Sequence, residues 1–251
     1  MTPPSDLWTP TREWEGADAF LIGGGPSLKN FDFSLLEGKN VIGCNDAYHL
    51  GPTIVSICVF GDQKWWQRNK WKLETFPNRI VTNSPSLLAY RLPTNFRKMI
   101  RLHTGFSHGG DALAWNYSTG ALAINLAVIL GAKRIFLLGY DLGVKGAEHH
   151  WHDHNPEPIK ESVFTRFIGG FQTVKQALPK EIEVFNVTDG SSNLKIFPTM
   201  DFTKFIGMLK TKVVSEDEEE ELENTIHGKQ ITRKVALKSL EEEQESNGYN
   251  S

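Results

Sequence analysis

The feature that most constrains this chain is a series of short, unbroken apolar runs, each stopping at glycine or a small polar residue. Residues 19–22 (AFLI) stop at Gly23-Gly24-Gly25, 41–44 (VIGC) at Asn45-Asp46, and 55–60 (VSICVF) at Gly61-Asp62. Residues 79–81 (RIV) stop at Thr82-Asn83-Ser84, 135–138 (IFLL) at Gly139-Tyr140-Asp141, and 184–187 (VFNV) at Thr188-Asp189-Gly190; 100–102 is a weaker instance. A strand with one wet face alternates apolar and polar residues. A continuous run is covered on both faces, which is the pattern of a parallel sheet.

Helical patterns lie between these runs. Residues 120–130 (GALAINLAVIL) are apolar nearly all round, which predicts a buried helix capped by Ser118 or Thr119 and ended by Gly131. Residues 159–178 place Phe164, Phe167, Ile168, Phe171, Val174 and Leu178 on one stripe. A third helix is expected over 63–73, with Trp65, Trp66 and Trp71 packed in the core rather than stacked on a base or sugar. Strands alternating with helices predict the α/β class: a doubly wound, mostly parallel, Rossmann-like sheet.

Charge divides the chain. Residues 213–251 hold eleven acidic and four basic side chains, although the whole carries only 30 acidic against 27 basic. The expectation is one folded domain over 1–212 and an acidic, disordered tail over 213–251, solvated or docking a protein partner. The mildly basic body suits an anionic small molecule and is too weakly charged for nucleic acid. No apolar stretch reaches the ~18 residues of a membrane span. The opening MTPPSDLWTP lacks the basic and apolar segments of a leader, and two cysteines make no disulfide framework, so a cytoplasmic location is expected.

In a doubly wound sheet, ligands bind beyond the carboxyl ends of the strands. Nearly every polar cluster above sits at such an end, and this convergence is the main argument for a site. Gly23-Gly24-Gly25-Pro26-Ser27 reads as a tight turn into a helix start, where exposed N–H groups would favour a phosphate and Ser27 could add a hydrogen bond. It is neither a GxGxxG fingerprint nor a P-loop. Asp46, Asp62 and Asp141 could together hold Mg²⁺ against a triphosphate, or each could serve as a turn acceptor. The segment His103–Gly110 is either an acceptor-side lid or a plain loop, and Asn186, Thr188, Ser191 and Ser192 could also line the cleft.

Three motifs in order, GGGPSL, GCND and STGALAINLAVILGAKRIFLLGYD, resemble a superfamily of Rossmann-like transferases. It includes the small bacterial sialyltransferases, the motility accessory factor domain and the archaeal 6-hydroxymethylpterin diphosphokinase. The resemblance spans residues 19–197. It implies that Gly23, Gly24, Gly25, Pro26 and Ser27 hold donor phosphate or ribose, and that Asn45 contacts the nucleotide. It further implies that Ser118, Thr119 and Gly120 line the nucleotide site and that Asp141 stands at a functional strand end. Gly24 replaces the asparagine common in the sialyltransferases, and the tyrosines that those enzymes turn on the leaving phosphate have no counterpart at matching spacing.

What the chain offers instead is His149-His150-Trp151-His152-Asp153-His154, which holds half of its eight histidines. Three readings stand open. One histidine could be a general base on an acceptor hydroxyl. Protonated histidines could neutralise a leaving phosphate. His150, His152 and His154 with Asp141 or Asp153 could bind a metal. The catalytic candidates are therefore His150, His152, His154 and Asp141. The leading expectation is a glycosyltransferase moving a sialic-acid-like sugar from a nucleotide donor such as a CMP-sugar to a hydroxyl acceptor. Transfer of diphosphate from ATP with Mg²⁺, and a non-catalytic nucleotide-binding module, are the alternatives.

Overall fold

The computed structural model describes residues 7–88, 92–144, 149–154 and 161–211. The elements are β1 (Asp18–Ile22), β2 (Val41–Cys44), β3 (Ile57–Phe60), α1 (Gln63–Leu73), β4 (Arg79–Thr82), β5 (Phe96–Lys98), β6 (Ile100–Leu102), β7 (Ala112–Ala114), α2 (Thr119–Ile129), β8 (Arg134–Leu138), α3 (Glu161–Ala177), β9 (Glu183–Val187) and β10 (Thr199–Met200). Eight strands form one sheet in the order β10-β9-β8-β1-β2-β3-β4-β5. Every neighbouring pair is parallel. All residues of β1, β2 and β3 are buried, as their unbroken apolar runs require.

The order is doubly wound. The chain runs outward from β1 through β2, β3, β4 and β5, then returns to lay β8, β9 and β10 on the other side of β1. The strand order therefore switches between β1 and β8, where a crevice opens beyond the strand ends. Alternate side chains of the central strands serve opposite faces. Ala19, Leu21, Ile42, Val59, Ile135 and Leu137 pack in one cluster with α2. On the other face Phe20, Phe136 and Phe185 form a file with centroids 5.4 and 5.6 Å apart, and Phe60 stacks on Trp66 of α1 at 5.4 Å.

The helix α2 is buried all round, as its composition predicts, and its N-cap is Ser118, whose hydroxyl accepts from the Gly120 N–H. Its one amide, Asn125, is fully buried; it accepts from the Ser107 and Ala114 N–H groups and donates to the Ser107 carbonyl. That accounts for a polar residue inside an apolar helix, since a buried amide must be paired. It also fastens the 103–110 segment to the core.

Three differences from the sequence reading have simple causes. β5, β7 and β10 are only two or three residues long and give no periodicity to detect. Residues 100–102 pair with β7 in a separate two-stranded sheet. Trp71 is 69% exposed rather than in the core, with the Lys70 ammonium 4.6 Å from its ring; Trp65 and Trp66 are the tryptophans that pack on Phe60.

The chain divides into two units, Met1–Phe202 and Thr203–Ser251. Of the second, the described residues 203–211 are helical, and the tail expected over 213–251 lies outside the described residues. Among the described residues no helix is long and apolar enough to cross a membrane.

Candidate active-site cleft

A cleft of about 660 Å³ opens beyond the carboxyl ends of the central strands. Gly23, Gly24, Gly25, Asn45, Asp46, Asp62, Ser118, Thr119, Gly120, His150 and His152 all line it. Pro26, Ser27, Asp141 and His154 do not. Eleven of the fifteen sequence candidates therefore converge, and Asp141 stands behind the wall, holding the Ser27 N–H.

The glycine turn works by close approach of backbones. A Cβ on Gly23 would stand 2.6 Å from the Gly139 carbonyl, and one on Gly25 would stand 2.7 Å from the same oxygen. The Gly23 N–H donates to the Leu138 carbonyl and the Gly25 N–H to the Gly139 carbonyl, both at 2.8 Å. Asp141, almost fully buried, accepts from the Ser27 N–H at 2.8 Å. The segment after the turn is a three-residue 3-10 helix, Pro26–Leu28, rather than the start of an α-helix. Most N–H groups that an N-terminal anion site would present are thus used inside the fold. Of the turn's N–H groups, that of Gly24 has no partner among the described residues, and the buried Ser27 hydroxyl has none either.

The helix dipole enters the cleft elsewhere. The N-terminus of α2, an eleven-residue helix capped by Ser118, presents Ser118, Thr119 and Gly120 to the cleft. Gly120 is needed here because a Cβ would stand 2.7 Å from the Tyr140 ring. The Tyr140 hydroxyl donates to the Gly120 carbonyl at 3.4 Å, and the Thr119 hydroxyl donates to Asn45 Oδ1 at 3.4 Å. Cys44 lies at this floor; burial pushes its thiol up to about 12, with the Tyr140 hydrogen bond opposing.

Backbone strain gathers at the same place. Among the described residues the non-glycine positions with positive φ are Asn45 (53°), Asn116 (47°), Tyr117 (61°) and Leu142 (48°). Three of the four line the cleft, and Asn116 adjoins them. Such conformations cost of order 1–3 kcal/mol each and persist where the surrounding structure holds them, commonly at ligand sites. Part of the support is α3, whose Gly170 lies so close to the Asn116 carbonyl that a Cβ could not be placed.

The histidine segment lies over the glycine turn. The Trp151 indole N–H donates to the Gly23 carbonyl at 2.8 Å, and the Trp151 backbone N–H donates to the Gly24 carbonyl at 3.2 Å. His150 Nδ1 is 3.2 Å from the Gly24 carbonyl oxygen. A carbonyl only accepts, so Nδ1 carries the proton and the lone pair resides on Nε2. Burial lowers the His150 pKa, with the Gly24 hydrogen bond and Asp46 opposing, which favours the neutral ring. The rings run on in a file: His150–His152 at 5.2 Å, His152–His154 at 5.4 Å and His154–His49 at 3.8 Å. Burial pushes His152 down to about 4; Asp46 opposes this, and His150, His154 and His49 add to it. Stacked rings turn their faces, not their nitrogens, to one another, and no group of three metal-ligating side chains is found among the described residues. Residues 145–148 and 155–160 of this region lie outside the described residues.

The far end of the cleft contains residues that the sequence reading did not select. Arg101 lies 4.5 Å from the centre of the Trp115 ring and donates to the Asn83 and Gly61 carbonyls. Trp115 covers Gly61 so closely that no Cβ fits there. Lys64, Arg68, Ser84 and Ser86 complete this end, while Arg166 stands over Tyr117 on the α3 side. Asp62 caps α1, accepting from the Trp65 N–H at 2.9 Å. A sequence signal existed for Lys64 and Arg68, four apart at the start of a helix that follows a strand end. None existed for Arg101, because β6 leaves the main sheet. His103, His108, Asn186, Thr188, Ser191 and Ser192 do not line the cleft. Asn186 and Ser192 instead form a buried network, with Asn186 Nδ2 donating to Ser192 Oγ at 2.8 Å and that hydroxyl donating to the Tyr140 carbonyl at 2.9 Å.

No family model matches the chain, and no curated protein matches it. Among solved structures, the chain is similar to the sialyltransferase CstII from Campylobacter jejuni in complex with the substrate analogue cytidine-5'-monophosphate, at 15% identity and a TM-score of 0.44. It is similar to the same enzyme with CMP-3FNeuAc at 15% identity and a TM-score of 0.42. Each match covers 73% of this chain and 84% of the other. At that identity the chemistry has to be read from the residues of the cleft itself.

Proposed function

We propose that this chain is a nucleotide-dependent transferase, and that it moves a glycosyl group from a nucleotide-activated donor, of the CMP-sugar kind, to a hydroxyl acceptor. The observation that carries this reading is the meeting of four features at the strand-order switch: the N-terminus of α2, the left-handed Asn45, the Gly24 N–H and the lone pair of His150. The first three suit the phosphate and ribose of a nucleotide. The fourth suits removal of a proton from an attacking hydroxyl, an effect worth about 10²–10⁴-fold in rate. In the proposed step the acceptor oxygen bonds to the sugar carbon while the bond from that carbon to the nucleotide phosphate breaks. His150 takes the hydroxyl proton, and the phosphate leaves with the bonding electrons toward the α2 N-terminus.

The diphosphate-transfer alternative needs carboxylates gathered for Mg²⁺. Asp141 is committed to Ser27 and Asp62 to the cap of α1, which favours the metal-independent reading. The test is calorimetric titration of the full chain with CMP, UDP, GDP and ATP, each with and without Mg²⁺. CMP binding that is indifferent to Mg²⁺ supports the proposal. Binding of ATP alone, and only with Mg²⁺, overturns it.

A further inference from the structure

The cleft has two ends of different chemistry. Neighbouring strands lie about 4.8 Å apart, so the tips of β3 and β4 stand roughly 10–15 Å from the tip of β1. That is room for a second reactant beside a bound nucleotide. The β1 end is walled by backbone, small residues and imidazoles. The β3–β4 end is walled by Lys64, Arg68, Arg101, Trp115, Ser84 and Ser86.

We infer that the β3–β4 end seats an anionic second reactant: an acceptor that bears a carboxylate or phosphate as well as the hydroxyl that attacks. This rests on the transferase reading above. Three observations support it. First, Lys64 is not there to stabilise α1. It lies in the first turn, where the helix dipole disfavours positive charge, and no acidic residue accompanies it within that turn. Second, among the described residues no carboxylate lies within ion-pair distance of Lys64 or Arg101. Asp46 faces the histidine file at the other end, and Asp62, which accepts from the Trp65 N–H, attracts Arg101 without an ion-pair contact. Third, Arg101 is fixed. Its guanidinium is half-buried, held by the Gly61 and Asn83 carbonyls and stacked on Trp115, which itself lines the cleft. A cation locked against an aromatic wall, with Lys64, Arg68 and two hydroxyls also lining this end, suits a ring that carries an anionic group.

The ligand set that tests this is glucose, glucuronate and glucose 6-phosphate, which share a ring and differ in charge. Each is titrated into the full chain by calorimetry, with and without CMP, and again into the Lys64→Gln/Arg68→Gln double variant. Both positions are exposed, so the variant keeps the fold, and its circular dichroism and thermal midpoint check this. At least one acidic sugar is expected to bind about tenfold or more tighter than glucose, and the double variant to lose about tenfold of that while its CMP affinity stays within about twofold. Glucuronate against glucose 6-phosphate tells carboxylate from phosphate. Equal binding of glucose and the acidic sugars, no binding of any of the three, or acidic-sugar binding untouched by the double variant overturns the inference. So does a tenfold loss of CMP affinity in the variant, which would assign these cations to the donor. Absence of CMP binding in the parent chain counts against the transferase reading alone, because the sugar titrations without CMP still report on this end.

Discussion

The two ends of the cleft are built by opposite means. At the β1 end, shape comes from backbone packed on backbone: Gly23 and Gly25 against the Gly139 carbonyl, Gly120 against Tyr140, and Asp141 behind the turn holding Ser27. Little there can move without disturbing the core. At the β3–β4 end the working groups of Lys64 and Arg68 are exposed heads on an exposed helix face, free to change without cost to the sheet. The contrast teaches that one end recognises by close fit and the other by charge. Substitutions should therefore separate into those that damage fold and ligand together and those that alter the ligand alone.

The sharpest way to break this comparison is Gly25→Val. Its branched side chain has to enter space occupied by the Gly139 carbonyl and the Asp141 carboxylate. Nucleotide affinity should fall about 100-fold or more, with a lower thermal midpoint; normal CMP binding in calorimetry would show that the turn does not shape the site. Asp141→Asn comes next. It weakens a charge-assisted bond to the Ser27 N–H and should cost about 1–3 kcal/mol in urea denaturation, and an unchanged curve would remove Asp141 from the support of the turn.

The pH dependence is smaller and has a definite sign. Burial holds His152 at about 4, below the usual 6.5, so the unfolded chain takes up a proton before the folded one does. Stability tied to this ring is complete above pH 6.5 and is lost as pH falls from 6.5 toward 4. Thermal midpoints measured across that range should drop less in His152→Asn than in the parent; parallel curves would mean the histidine file carries no such linkage. The smallest effects are expected at the charged end. Lys64→Gln and Arg68→Gln should each change the unfolding free energy by no more than about 0.5 kcal/mol, and a larger change would make them structural rather than ligand-facing.

Much of this architecture could be read along the chain. The runs AFLI, VIGC and IFLL have no polar face, so they had to be central strands, and GALAINLAVIL had to be an enclosed helix. The convergence of Gly24, Asn45, Ser118, Gly120 and His150 follows from that, because parallel strands bring their carboxyl ends to one edge. Other features were hidden for physical reasons. Strands of two or three residues have no measurable period, so β5, β7 and β10 left no trace. Trp71 has the same composition signal as Trp65 and Trp66, yet the helix turns it to solvent. The phosphate-cradle reading of GGGPS could not foresee that Leu138, Gly139 and Asp141 accept its N–H groups.

By itself, then, the sequence determined the class of fold, the strand ends that share an edge and the chemistry available there, since these depend on local hydrophobicity and on the fixed polarity of a parallel sheet. Only the tertiary structure decided which groups face the cleft and which stand behind it. Asp141 became a support while Arg101 and Trp115 became wall, because hydrogen-bond partners more than a hundred residues apart, and a strand pair outside the main sheet, are set by packing that no local pattern records.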